Sequence, residues 1–317
     1  MFVARLLALT CTMVLVQAAV GEARITGAVV ARRQAAIDVI ENATVFLFLQ
    51  PMVGQSNRYP LATGFFLRIH SKTSKATLEL LITARHVIEP KWADCHASPR
   101  TAPLFLRLNI PNFDPSTGQS GVTFEPLILI DPRGVRQYAV SSDPRADLAM
   151  IYLTPDNGPN LGNYGLTPLT LNSFATVAAL TSMRAGDPVL AFGLVPGMPG
   201  RLRNLPMARS GVIAAIPTES IAMGVDCSGH PHAVQQWIVA MHADYGGSGG
   251  PVFLNTGPLP VLLGIQSSRI EAREGDLNSG YELAGVTPIK DLYAALVNLN
   301  IEDADLRTRD AAGAPPP

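Results

Sequence analysis

Charge and cysteine are both scarce in this chain, and each scarcity excludes something. Only 15% of the 317 residues are charged, and 24 basic side chains against 25 acidic ones leave a formal net charge of -1. A surface built to hold nucleic acid carries a basic excess or a dense run of Lys and Arg. Neither is present, so no nucleic-acid partner is expected. Three cysteines are too few for a small disulfide-framed scaffold. Long apolar runs are missing as well, beyond the first two dozen residues. What the chain does have is 47% hydrophobic residues, which over this length supports a sizeable core and excludes a disordered or fibrous protein.

The N-terminus stands apart. Arg5 gives a positive start, Leu6 to Val20 is almost wholly apolar, and Ala18, Ala19, Gly21 and Ala23 supply small residues. That is the layout of an export signal, read as residues 1–23, and it implies a secreted or periplasmic protein. The run falls short of the roughly 20 residues of a spanning helix, so no stable membrane insertion is expected once the signal is cleaved. Cys11 would leave with it. For the remaining Cys95 and Cys227 one disulfide is expected, ahead of two free thiols. Nearby His96, His230 and His232 lack the tight Cys/His spacing of a zinc site, so no metal is expected.

After a short helical stretch at 31–41, the pattern turns to strands. Thr44 to Leu49, Ala62 to Ile69, Thr77 to Thr83, Leu104 to Leu108, Phe124 to Ile130 and Leu148 to Leu153 are short, apolar or alternating, and separated by Gly, Pro, Ser or Asn. A stretch rich in Asn, Gly and Pro, from Thr154 to Pro168, reads as a linker. A second series follows: Ala175 to Leu180, Pro188 to Leu194, Gly211 to Ile216, Ala233 to Met241, Pro251 to Leu254 and Val261 to Gln266. Two sets of about six strands argue for an all-β domain over 24–300, with barrels at about 43–155 and 169–287. Thr287 as cap, Pro288 at the first helical position, and Ile289, Leu292, Leu296 and Leu299 at helical spacing predict a C-terminal helix over about 288–300. Residues 301–317 end in Ala, Gly and three prolines and read as a disordered tail.

Three short motifs carry chemistry. In Asp244-Tyr-Gly-Gly-Ser-Gly-Gly-Pro251, the glycines permit backbone shapes closed to other residues, so the Gly246 and Ser248 amides can converge on one oxygen. His86 ends the apolar run Leu81-Ile-Thr-Ala-Arg-His, and Asp147 opens Asp-Leu-Ala-Met-Ile-Tyr-Leu153, a strand too apolar for an unpaired carboxylate. Each has a plainer explanation: a glycine-rich surface turn, a packed structural histidine, a solvated charge at a strand start. Taken together they fall in the order His, Asp, Ser, the chain order of one type of serine-nucleophile triad. His86 and Asp147 then belong to the first strand set and Ser248 to the second, with the site in the cleft between them.

The motifs resemble the trypsin-like peptidases, particularly the protease domain of bacterial HtrA/Deg-type enzymes. The likeness runs from about Thr44 to Leu299 and includes Thr63-Gly-Phe-Phe, Gly186-Asp-Pro-Val-Leu-Ala-Phe-Gly193, Ser210-Gly-Val-Ile and Gly264-Ile-Gln-Ser-Ser268. It implies two six-stranded antiparallel β-barrels of chymotrypsin type and cofactor-free hydrolysis of polypeptide substrates. The triad would be His86, Asp147 and Ser248, with Gly246 and Ser248 forming the oxyanion hole. By alignment to that family, His242 and Ala243 fall at the base of the substrate pocket, with Ser267, Ser268 and Arg269 on its facing wall. The chain departs from trypsin-like zymogens at Gly247, where they carry an Asp that pairs with a freed N-terminus. The stretch after Ser248 is expected to be too short for a PDZ domain. A rival reading is a trypsin-fold binding module without activity, whose usual mark is a missing triad member.

Overall fold

The computed structural model describes residues 27–50, 58–70, 77–100, 102–155, 157–225, 230–270 and 283–298. The expected export signal, the tail and Cys227 lie outside them. A helix, α1, occupies 27–43, longer at both ends than the sequence suggests. Ile37, Ile40 and Ala43, three residues apart, turn its apolar stripe onto the core.

Strands β1 (Thr44–Leu49), β2 (Tyr59–His70), β3 (Thr77–Thr83), β4 (Leu104–Asn109), β5 (Val122–Leu127), β6 (Tyr138–Val140) and β7 (Ala149–Tyr152) follow. They form one antiparallel sheet in the order β5-β4-β1-β2-β3-β7-β6. The sheet has seven strands where six were expected. The addition, β6, is a three-residue partner for β7 whose half-buried side chains left no clear alternation.

In the second half come β8 (Pro188–Gly193), β9 (Met207–Ala215), β10 (Ile221–Val225), β11 (Pro231–Val234), β12 (Trp237–Ala240), β13 (Pro251–Leu254), β14 (Val261–Ile270) and β15 (Leu283–Pro288). Six of these close into the barrel β12-β15-β14-β13-β8-β9, and β10 and β11 form a separate hairpin. Three short helices complete the set: α2 (Arg85–Ile88), α3 (Val177–Ser182) and the longer α4 (Ile289–Asn298). The segment expected as a strand at 175–180 is largely α3. Thr176 caps it by accepting from the Ala179 amide at 3.2 Å, and the place of that strand in the barrel is taken by β15.

The runs that looked continuously apolar are buried on both faces. In β2 and β3, Phe65, Leu67, Ile69, Leu80 and Ile82 face a core shared with Phe192, Phe253, Ile265 and the α4 residues Ile289, Leu292 and Leu296. The alternate residues Ala62, Phe66 and Leu81 face an inner core with Val45, Leu47, Leu104 and Leu106. Successive side chains point to opposite faces of a strand, so a strand lying between two cores has no polar side to show. The barrel encloses its own core around Val189, Ile213, Val239, Val252 and Leu263.

In the Thr154–Pro168 stretch, where Asp156 lies outside the described residues, Asn157 is buried and accepts from the Thr154 amide at 2.8 Å, and Leu161–Tyr164 form a 3-10 turn. One local expectation changes. Thr287 does not cap α4. It is the penultimate residue of β15, and its buried Oγ1 has no partner among the described residues.

Candidate active site

The first sheet supplies two of the three expected residues. Strand β3 ends at Thr83 and leads directly into α2, whose second residue is His86; Asp147 sits two residues before β7, the neighbour of β3. His86 Nδ1 meets Asp147 Oδ2 at 2.7 Å, and the His86 backbone N–H donates to Asp147 Oδ1 at 2.9 Å. The carboxylate is 1% exposed. A buried carboxylate needs partners for its lone pairs, and Ser267 Oγ on β14 supplies a third donor, to Oδ2.

Burial alone would push the Asp147 carboxyl up, but the His86 charge and these hydrogen bonds outweigh it and hold it below its ordinary value. Burial likewise pushes His86 down. The Asp147 charge and hydrogen bond more than offset this, and they carry the imidazole above its ordinary 6.5. Arg100, whose Nε donates to the Val87 carbonyl at 2.6 Å, works against that rise.

The loop carrying Ser248 is built from two consecutive turns. The first, a 3-10 turn over Tyr245–Gly247, is closed by the Gly247 amide on the Asp244 carbonyl at 2.9 Å. In the second, the Gly250 amide donates to the Gly247 carbonyl at 2.9 Å, with Ser248 at φ -51, ψ 126 and Gly249 at φ 85. That is a type II turn, which puts Ser248 on its corner and requires glycine next. Gly249 is doubly constrained, because a Cβ there would collide with Thr83 Oγ1 and the Thr63 carbonyl. The same contact sets the loop against the chain entering α2. Among the described residues, Gly247, Gly249 and Gly250 donate to backbone carbonyls, while the Gly246 and Ser248 amides have no acceptor.

Two side chains hold the loop from outside. Thr63 on β2, fully buried, donates from Oγ1 to the Gly246 carbonyl at 2.7 Å and accepts from the Leu194 amide at 2.7 Å; its own amide donates to the Ser248 carbonyl at 2.9 Å. Arg209 on β9, 8% exposed, pairs with Asp244 at 2.7 Å. Neither Thr63 nor Arg209 stood out as a loop anchor in the sequence, since each acts across a long chain separation.

A cleft of about 240 Å³ opens beside His86 and Asp147, lined also by Trp92, Gln236, Ser267 and Ser268. Of the five residues expected around a substrate pocket, Ser267 and Ser268 thus line this cleft. His242 is exposed and bonds to Asp244 at 3.0 Å, Ala243 packs in the barrel core, and Arg269 lies over the Tyr245 ring at 5.3 Å. Cys95 is half-buried and forms no disulfide among the described residues, which do not include its expected partner Cys227.

The sequence profile of the trypsin-like peptidase domain matches residues 62–262, more than half of the chain and inclusive of all three motifs. The chain belongs to that family. This trypsin-like peptidase is a serine-type endopeptidase, a hydrolase. No curated protein matches it in sequence. Among solved structures it is similar to an inactive serine-to-alanine mutant of Rv3671c from M. tuberculosis H37Rv, at 15% identity and a TM-score of 0.45, covering 84% of this chain and 90% of that one. It is also similar to the HtrA-type protease AlgW with a tripeptide, at 18% identity and a TM-score of 0.44. That match covers 84% of this trypsin-like peptidase and 61% of AlgW, so the chain spans about three-fifths of AlgW's length.

Proposed function

We propose that this trypsin-like peptidase cleaves polypeptides through an acyl-enzyme, with Ser248 as nucleophile, His86 as general base and Asp147 as the group that orients the base. The observation that carries the reading is the pairing of His86 Nδ1 with a fully buried Asp147. It commits one ring nitrogen to the carboxylate and leaves Nε2 free to take a proton. Ser248 Oγ makes no hydrogen bond among the described residues; contacts of this kind commonly tighten only when substrate binds.

In the proposed reaction His86 Nε2 removes the Ser248 proton as Oγ attacks the carbonyl carbon. Asp147 holds the imidazole in the tautomer that can accept and stabilises the resulting imidazolium. The Gly246 and Ser248 amides, without acceptors of their own, receive the developing negative charge. His86 then gives its proton to the leaving amine, and water, deprotonated by His86, attacks the acyl group and releases Ser248. Ordering of the loop uses Arg209 and Asp244 from within the folded chain, in place of a freed N-terminus. The apolar N-terminal run supports export as part of the same proposal.

The test is labelling of the purified protein with a fluorophosphonate, beside Ser248→Ala and a mixed-peptide digest read by mass spectrometry. Labelling at Ser248 that disappears in the variant, together with cleavage products, is the expected result. A folded protein that neither labels nor cleaves would replace this reading with that of a binding module.

A further inference from the structure

Gln236 is a polar side chain with no role in the reaction above, yet it is 2% exposed and lies in the wall of the active-site cleft. Its position follows from its neighbours. The residue before it, Gln235, donates its amide to the Arg145 carbonyl at 3.0 Å, two residues from Asp147, and the residue after it starts β12. Its side chain reaches across to β14, where Nε2 lies 2.8 Å from Ser267 Oγ and Oε1 lies 2.8 Å from Ser268 Oγ.

The direction of each hydrogen bond follows from one anchor. Asp147 is held ionised, so it can only accept, and Ser267 must spend its single hydroxyl proton on Oδ2. The Ser267 lone pairs then face Gln236, which must present N–H. That turns Oε1 toward Ser268, whose hydroxyl donates. Only one amide orientation satisfies every group. The chain Ser268 to Gln236 to Ser267 to Asp147 therefore runs one way, ending on the oxygen that His86 Nδ1 also contacts.

A second observation shows that the space for this amide is reserved. Gly285 on β15 lies opposite Ser268 in the β14–β15 register, and a Cβ there would collide with Gln236 Oε1 and Ser268 Oγ.

We propose that Gln236 is a positioning residue of the triad: its amide locks the Ser267 hydroxyl onto Asp147 and so fixes the carboxylate plane that His86 reads. The proposal rests on the triad assigned above. Without the Nε2–H, the Ser267 hydroxyl is free to rotate, and the carboxylate loses its one side-chain donor other than His86. An Asp147 with fewer donors binds the imidazolium more tightly, so His86 becomes harder to deprotonate.

The experiment compares wild type with Gln236→Met, Ser267→Ala and the double variant. It measures kcat, KM and the fluorophosphonate labelling rate across pH, with a thermal melt to verify folding. Gln236→Met keeps the volume and removes the donor. It is expected to lower kcat and labelling about tenfold, the worth of one well-placed hydrogen bond. KM should be nearly unchanged, and the acid limb of the pH profile should move to higher pH. In the Ser267→Ala background the same change should have no further effect, because Gln236 acts through that hydroxyl. Should Gln236→Met fail to fold, Ser268→Ala, which loosens the amide without removing it, is expected to give a smaller loss with the same pH shift. A folded Gln236→Met with wild-type kcat and pH profile, or effects that add to Ser267→Ala, overturns this proposal and leaves the triad standing. A wild type that never labels at Ser248 overturns both.

Discussion

The two halves of the site are held in place by different means. His86 and Asp147, on the seven-stranded sheet, are fixed by side chains: a buried carboxylate collects three donors, one of them from the far barrel. The Ser248 loop, on the closed barrel, takes its shape from backbone, with Thr63 and Arg209 clamping it from outside. Its turns are closed by amide–carbonyl bonds, and its neighbours Gly249 and Gly250 are places where a Cβ would strike backbone of other segments. A charge defect should therefore damage the first half through chemistry, and a steric defect should damage the second through folding.

The sharpest break of the first half is Asp147→Asn. It keeps the shape but removes the negative charge and offers His86 the wrong hydrogen-bonding partner, so kcat should fall by about 10⁴-fold with KM little changed. Steady-state kinetics on any peptide found in the digest checks this. In the proposed mechanism, His86 must be neutral to act as base. Its raised pKa places the acid limb of kcat/KM above 6.5, with activity rising as pH increases through it. An acid limb well below that value would contradict the dominance of Asp147 over burial and Arg100.

For the second half, Gly249→Ala asks a side chain to adopt φ 85 and to enter space held by Thr83 and Thr63. Destabilisation of roughly 2–4 kcal/mol is expected, seen as a lower Tm, with activity lost in proportion to folded protein and to displacement of Ser248. If Tm is unchanged and only kcat falls, the loop is less rigidly docked than its contacts indicate.

The smallest effect tests electrostatics away from the cleft. Asp291 on α4 is buried, and its carboxyl is pushed up to about 6 by burial, with Lys290 and Arg145 opposing and Asp143 adding to the rise. One of its oxygens has no partner among the described residues. The folded state thus holds a proton that the unfolded chain has already released at pH 4 to 6. Stability falls as pH rises through that window, and the full cost is present above it. Asp291→Asn should raise stability at pH 7–8 by on the order of 1–2 kcal/mol and flatten that slope in thermal melts.

The sequence showed the parts of this protein that depend on local pattern. Strands β2 and β3 were legible because burial on both faces makes them nearly all apolar, and α4 because Leu292 and Leu296 recur at helical spacing. Motif order was enough to bring His86 and Asp147 together. The family assignment followed the same motifs. What stayed hidden is relational. Thr176 turned an apolar run into α3 by a single cap, and β6 exists only as a partner of β7. Ser267 lines the cleft, as the family likeness implies, but nothing in its sequence surroundings shows that its hydroxyl is also directed at Asp147. Gln236 and Thr63 have ordinary sequence surroundings and gain their significance from residues far along the chain.

Thr63 has a consequence for the chain during its synthesis. It belongs to the second strand made, and the loop it clamps emerges only after three of the six strands of the second barrel have been translated. The Ser267 donor to Asp147 comes later still. A chain cut short before the second barrel would carry His86 and Asp147 on its first sheet but neither the Ser248 loop nor the Ser267 donor. Under the proposed reading, the complete site is assembled only in the finished fold, and the order of the chain delays it until both halves have been made.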